Sequence, residues 1–124
     1  MDFSPLERLD IISNSLQRAQ VFVESMDIEA FRGDRRTRYA VIFSLETAAN
    51  VAGEARPDVR GQLPDVPWAE FDKIKETVAV ARYHETNPDD IWKMVTVTLP
   101  GLLRAVQHAV ALLQLDETQR PNVN

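Results

Sequence analysis

The stretch IKETVAVARYHE, from Ile74 to Glu85, gathers the residue types that handle phosphate and protons. It holds Lys75, Glu76, Arg82, Tyr83 and His84, and His84 is one of only two histidines in the chain. Lys75 and Arg82 are seven residues apart, so on a helix they share a face two turns apart. A histidine near such cations can serve as general acid or base in phosphodiester cleavage. The same histidine, placed near a helix C-terminus, is equally a capping residue whose charged form the helix dipole favours. The residue types alone leave both roles open.

A second basic group lies in FRGDRRTRY, where Arg32, Arg35, Arg36 and Arg38 fall within seven positions and Tyr39 follows. Arginines so spaced can grip an RNA backbone, and a tyrosine can stack on a base. Arg35, Arg36 and Arg38 are therefore the candidate RNA-binding residues. The alternative is a solvated helix start whose arginines pair with Asp34 and Glu29. Other chemistries find no pattern. The four glycines are isolated, so no phosphate loop forms. The two histidines, His84 and His108, stand apart in a chain without cysteine, which gives no zinc spacing. Paired Glu-x-x-His repeats of the di-iron kind do not occur. No metal and no cofactor is expected.

These residues need helices to position them. Ser4-Pro5 reads as an N-cap followed by proline at the first helical position. Leu6, Leu9, Ile12, Leu16, Ala19, Val23 and Met26 then recur at spacings of three and four, one apolar stripe. Asp27 caps a short turn, and Asp34 caps a second long helix with Val41, Leu45, Ala48, Ala52 and Ala55 inward. RPDVRGQLPDVP, with three prolines and a glycine, reads as the one substantial loop. Pro67 opens a third helix with Phe71, Ile74, Val78 and Ala81 inward, so the chemistry-bearing side chains lie off its apolar stripe. Pro88 opens a fourth, with Asp89 and Asp90 at its positive end. Pro100 falls inside that fourth stretch and should kink it or split it in two. No strand pattern competes. The fold class is all-α, an antiparallel four-helix bundle with extra short helical pieces. Residues 1–115 form the helical domain and 116–124 a flexible tail. The outer tryptophans, Trp68 and Trp92, flank the third helix as core residues.

Composition sets the bounds. A chain of 124 residues supports one core, not two. Hydrophobic residues at 44% and charged residues at 27% are ordinary globular values. The net charge of −5 does not suit a protein that coats nucleic acid, though a local basic patch still can bind it. The N-terminus lacks the apolar run of a signal peptide, and no apolar stretch approaches the roughly 20 residues of a membrane span. A soluble, cytoplasmic protein without a membrane partner is expected.

The order of residues along the chain adds what their chemistry leaves open. Phe31, Ala40-Val41, Val66-Pro67-Trp68, Ile91-Trp92 and Leu99-Pro100-Gly101-Leu102-Leu103 follow one another at spacings that resemble the HepT-like family of the HEPN superfamily, over about residues 6–106. The resemblance implies a HEPN-like helical bundle that forms homodimers. It implies a ribonuclease of a toxin–antitoxin module that needs no metal. It also implies a minimal nucleotidyltransferase as partner, which in some systems adds AMP to a tyrosine near the active site. The family signature is Arg, a polar residue, three more, His, one more, Tyr, starting about seven residues after the Pro-Trp. The arginine would bind phosphate and the histidine would move a proton.

This chain departs from that signature. Seven residues after Trp68 stands Lys75, and Glu76 follows where a neutral polar residue is expected. Val80 holds the histidine position and Arg82 the tyrosine position, with Tyr83 one further on. The family's Gly-Glu-Ala falls on Ala49-Asn50-Val51, while a Gly-Glu-Ala occurs one turn later at Gly53–Ala55. Valine has no titratable proton and cannot act as acid or base. Glu76 would repel an RNA phosphate. The expectation is a family scaffold whose nuclease chemistry is lost or weakened and which binds its partner. The alternative is an active ribonuclease with a rearranged site, in which Lys75 holds phosphate and His84 or Tyr83 supplies the proton group.

Overall fold

The computed structural model describes residues 2–83 and 87–119. Helices follow in the order α1 (Pro5–Val23), α2 (Ile28–Gly33), α3 (Arg35–Gly53), α4 (Pro57–Gln62), α5 (Trp68–Tyr83), α6 (Pro88–Lys93) and α7 (Leu99–Gln119). A π-helical segment, Met94–Thr98, joins α6 to α7. No strand occurs among the described residues.

Local chemistry sets the boundaries. At the start of α1, Ser4 Oγ accepts from the Glu7 N–H at 3.1 Å, and Glu7 returns a bond to the Ser4 N–H at 3.0 Å. That reciprocal capping box satisfies two donors that a helix start leaves bare. Asp27 caps α2 and Asp34 caps α3, each accepting from a backbone N–H three residues on. Pro57 and Pro88 sit in the first turns of α4 and α6, where the missing N–H costs nothing.

The four long helices α1, α3, α5 and α7 make an all-α bundle. Their closest approaches run α7 to α1, α1 to α3 and α3 to α5. Small residues on α3, Ser44, Ala48, Ala49 and Ala52, are all buried and let α1 and α5 come near. Leu9, Ile12, Leu16, Val41, Leu45, Phe71, Ile74, Val78, Leu99 and Val106 fill the core at 1% exposure or less. The inward stripes read from periodicity are the core of the fold.

Three features differ from the sequence expectation. The Arg56–Pro67 stretch is not wholly loop, because Pro57 starts the short helix α4. Asp58 in its first turn suits the helix dipole, and Arg60 ties it to the end of α3. Pro100 causes neither a simple kink nor a clean break. The turn before it widens, and the Leu99 N–H bonds the Met94 carbonyl, five residues back rather than four. Finally, Pro88–Asp116 runs as one helical stretch of 29 residues with a mean hydropathy of 1.3 in its most apolar window, long and apolar enough by length and composition to span a membrane. The sequence reading missed it because polar residues interrupt each apolar run. Its inward side packs on α1 through residues such as Leu99, Leu102 and Val106, as a core helix does.

Trp68 is buried, and its indole N–H donates to the Leu63 carbonyl at 3.0 Å. Trp92 is half-buried and packs its ring on Phe31 of α2, centroids 5.2 Å apart, rather than flanking α5.

Candidate functional site

Helix α5 carries the motif-equivalent residues, and its own amphipathicity turns them outward. Phe71, Ile74, Val78 and Ala81 lie in the core, so Lys75, Glu76, Ala79 and Val80 face solvent. Val80 is 51% exposed, which is high for a β-branched apolar side chain on a helix. Position 80, which the sequence resemblance sets against the signature histidine, therefore lies on the solvent side of α5.

Lys75 takes a particular direction. Its Nζ lies 3.7 Å from the point where a Cβ would stand on Gly53, the last residue of α3. The carbonyls at a helix C-terminus carry partial negative charge, which suits an ammonium group. Two more cations meet the same helix end. Arg60 Nη2 donates to the Ala52 carbonyl at 3.2 Å, and Arg8 Nη1 donates to the Val51 carbonyl at 2.7 Å. Arg60 also lies over the Trp68 ring at 5.3 Å and 3.7 Å from Asp72. Arg8 is 5% exposed, stands 5.6 Å from the Phe3 ring, and leaves its Nε without a partner. Sequence reasoning missed Arg8 and Arg60 because neither is in a charge cluster. The available signal was that Arg8 sits beside Leu9 on the apolar side of α1.

These contacts set the end of α3, at Ala52 and Gly53, beside the first half of α5, at Asp72 and Lys75. Tyr83 lies eight residues on, about 12 Å further along the axis. Arg82 and Tyr83 close α5 as backbone, with their side chains outside what is described, and His84 lies outside the described residues.

The arginine cluster divides its labour. Arg32 forms a two-pronged bond to Asp89, both distances 2.7 Å, and a third bond to Glu29 at 2.6 Å. This pairing holds the Arg32 guanidinium above its ordinary pKa and the Asp89 carboxyl below its own. Arg38 Nη1 donates to the Arg32 carbonyl at 2.6 Å and caps the end of α2. Arg35 donates to Tyr39 Oη at 3.2 and 3.1 Å and lies over that ring. Arg36 is exposed. Of the three RNA-binding candidates, Arg38 is committed to the fold, while Arg35 and Arg36 line the outer start of α3. That start holds no acid apart from its cap Asp34, whose carboxyl the Thr37 N–H keeps below its usual range.

The outer side of α3 also exposes Tyr39 at 53% and Phe43 at 72%. Among the described residues, no group of three or more His, Cys, Asp or Glu side chains gathers as a metal site.

Comparison with known proteins follows this geometry. The family described as "Ribonuclease HepT-like" matches residues 12–109. The chain is 26% identical over 102 residues to "Probable ribonuclease HepT" of Thermococcus cleftensis, covering 82% of this chain and 92% of that one. It is 27% identical over 86 residues to "Putative RNase MJ1380" of Methanocaldococcus jannaschii, covering 69% of this chain and 78% of that one. A second RNase so named from the same organism shares 25% identity over 89 residues, 72% of this chain and 73% of its own. No solved structure matches the chain.

Proposed function

We propose that this chain, which belongs to the ribonuclease HepT-like family, keeps the family's binding scaffold and has lost or nearly lost RNA cleavage. Val80 carries this proposal. It is exposed on α5 at the position of the proton-transfer histidine, and its side chain can neither take nor give a proton. Lys75 supports it in two ways. A lysine binds phosphate as a point charge and lacks the two-pronged fork of arginine. Its ammonium also rests by the end of α3, near Gly53.

In this proposal the protein acts as a homodimer within a toxin–antitoxin-type module of the cytoplasm, with a minimal nucleotidyltransferase as partner. Phe43 on α3 and Val80 on α5 offer exposed apolar area to a second copy. Arg35 and Arg36 retain the charge to hold an RNA strand that is not cut.

The test is RNA cleavage by the purified protein in chelator, beside Lys75→Ala and His84→Ala. Wild type should leave RNA intact on the timescale on which an active family member consumes it, and light scattering should give a dimer mass. Cleavage by wild type that both alanine variants abolish would establish the rearranged site in place of the silent one.

A further inference from the structure

A groove unconnected with α5 opens where α1 ends against the π-helical segment. Its volume is about 480 Å³, within the range of small-ligand and side-chain pockets. Val21, Met26, Trp92, Val95 and Pro100 supply apolar walls. Gln20, Glu24 and Thr96 supply the polar groups, and no lining residue is basic.

Two observations give the groove an electrostatic sense. The first is the Val95 carbonyl. In an α-helix its donor would be the Leu99 N–H, but that hydrogen goes to the Met94 carbonyl. In a π-helix its donor would be residue 100, and Pro100 has no N–H. Both helical donors are lost, and Val95, at 1% exposure, keeps that carbonyl within the wall of the groove, where it adds negative potential rather than a contact. The second is Glu24. It stands at the C-cap of α1, whose last turn carries no basic residue. A carboxylate at the negative end of a helix is unfavourably placed by the helix dipole. Among the described residues it forms no ion pair. Thr96 does not offset this, because its hydroxyl donates to the Trp92 carbonyl at 2.7 Å. The groove is an apolar slot rimmed by acceptors and a negative charge. Val21 at 65% and Val97 at 67% exposure extend apolar surface at this end.

We propose that this groove is a docking site for a basic, amphipathic segment of a partner protein, an apolar side chain filling the slot while an arginine or lysine meets Glu24. Charge complementarity selects that occupant. The proposal does not rest on the loss of cleavage at α5, since no lining residue belongs to that helix.

The test is a titration of isotope-labelled protein, followed by amide resonances, with a short leucine–arginine amphipathic peptide and with its leucine–glutamate twin. The basic peptide should shift the amides of residues 20–26 and 92–101, and the acidic twin should leave them unmoved. Glu24→Gln should weaken the basic peptide roughly three- to five-fold, the scale of an exposed charge pair. Pro100→Ala, which returns an N–H to the helix, should weaken it as well while the helical circular dichroism stays unchanged. Shifts confined to other surfaces, equal binding of the twin, or unaltered affinity in Glu24→Gln would overturn the proposal. So would neutral phospholipid vesicles that move the same amides as strongly as the peptide, because the groove would then be a lipid contact.

Discussion

Restoring two side chains on α5 should restore cleavage. The perturbation is Lys75→Arg with Val80→His. Val80 is already 51% exposed, so about half of its apolar burial is at stake, no more than about 1 kcal/mol. Valine and histidine have similar helix propensities, and lysine and arginine are nearly equal. For a domain of this size, 1 kcal/mol corresponds to a shift in Tm of about 3–6 °C. The double variant should therefore fold and melt within a few degrees of wild type. A positioned general acid or base is typically worth about 10²- to 10⁴-fold in rate. Glu76 remains beside the site and opposes an incoming phosphate. At about 6 Å in water that repulsion is roughly 0.7 kcal/mol, about a threefold handicap. The expected net gain is then at least about thirtyfold over wild type. The assay is cleavage of a labelled single-stranded RNA in chelator, with melting curves run on the same preparations. A double variant that is folded and no faster than wild type would show that position 80 does not limit cleavage. The limit would then lie in the placement of α3 and α5.

Two further outcomes follow from groups the fold holds firmly. Arg8 is 5% exposed, makes one bond to the Val51 carbonyl and leaves its Nε unbonded, so its burial is only partly compensated. Arg8→Met should keep the volume and sit within about 1 kcal/mol of wild type in urea titration, whereas Arg8→Ala, which opens a gap, should lose about 2 kcal/mol or more. On acidification, the Asp89 carboxyl is held below its ordinary 3.8 by the Arg32 hydrogen bond, and Asp34 below the same value by the Thr37 N–H. Because the folded values lie below the unfolded ones, their stabilisation is whole above the ordinary value and drains away as pH falls through the folded values. The urea midpoint should be flat from neutral pH to about 5 and fall below about 4, and Asp89→Asn should remove part of that fall.

Periodicity alone located the core because burial is a property of each helix's own face. Leu9 to Val23 on α1 and Phe71 to Ala81 on α5 are inward for that reason, and Ser4-Pro5 and Asn87-Pro88 mark helix starts by strictly local bonding. Helix α4 was hidden because three prolines and a glycine suggest a loop, and what holds its end is a bond from Arg60 to the distant Ala52 carbonyl. The widened turn before Pro100 depends on which carbonyl Leu99 chooses, a matter that spacing does not encode. Pro100 was visible as a disturbance, and the form of the disturbance was not.

The candidate site divides along the same line. That Lys75, Glu76 and Val80 share the wet side of α5 follows from the stripe at Phe71, Ile74 and Val78. That Lys75 leans on the end of α3 does not, because Gly53 belongs to another helix and offers its backbone rather than a side chain. Arg8 and Arg60 meet the same helix end from the other flanks, and their partners are also main-chain carbonyls. Main-chain acceptors leave no mark on residue identity, so three cations converging on one helix terminus remained illegible until α1, α3 and α5 were set side by side. Such a terminus rewards any cation, lysine or arginine alike, with the attraction of its free carbonyls. Lysine at position 75 therefore has a use in the bundle that does not depend on phosphate binding. By the same logic Lys75→Ala should loosen the α3–α5 contact even in a protein that cuts nothing.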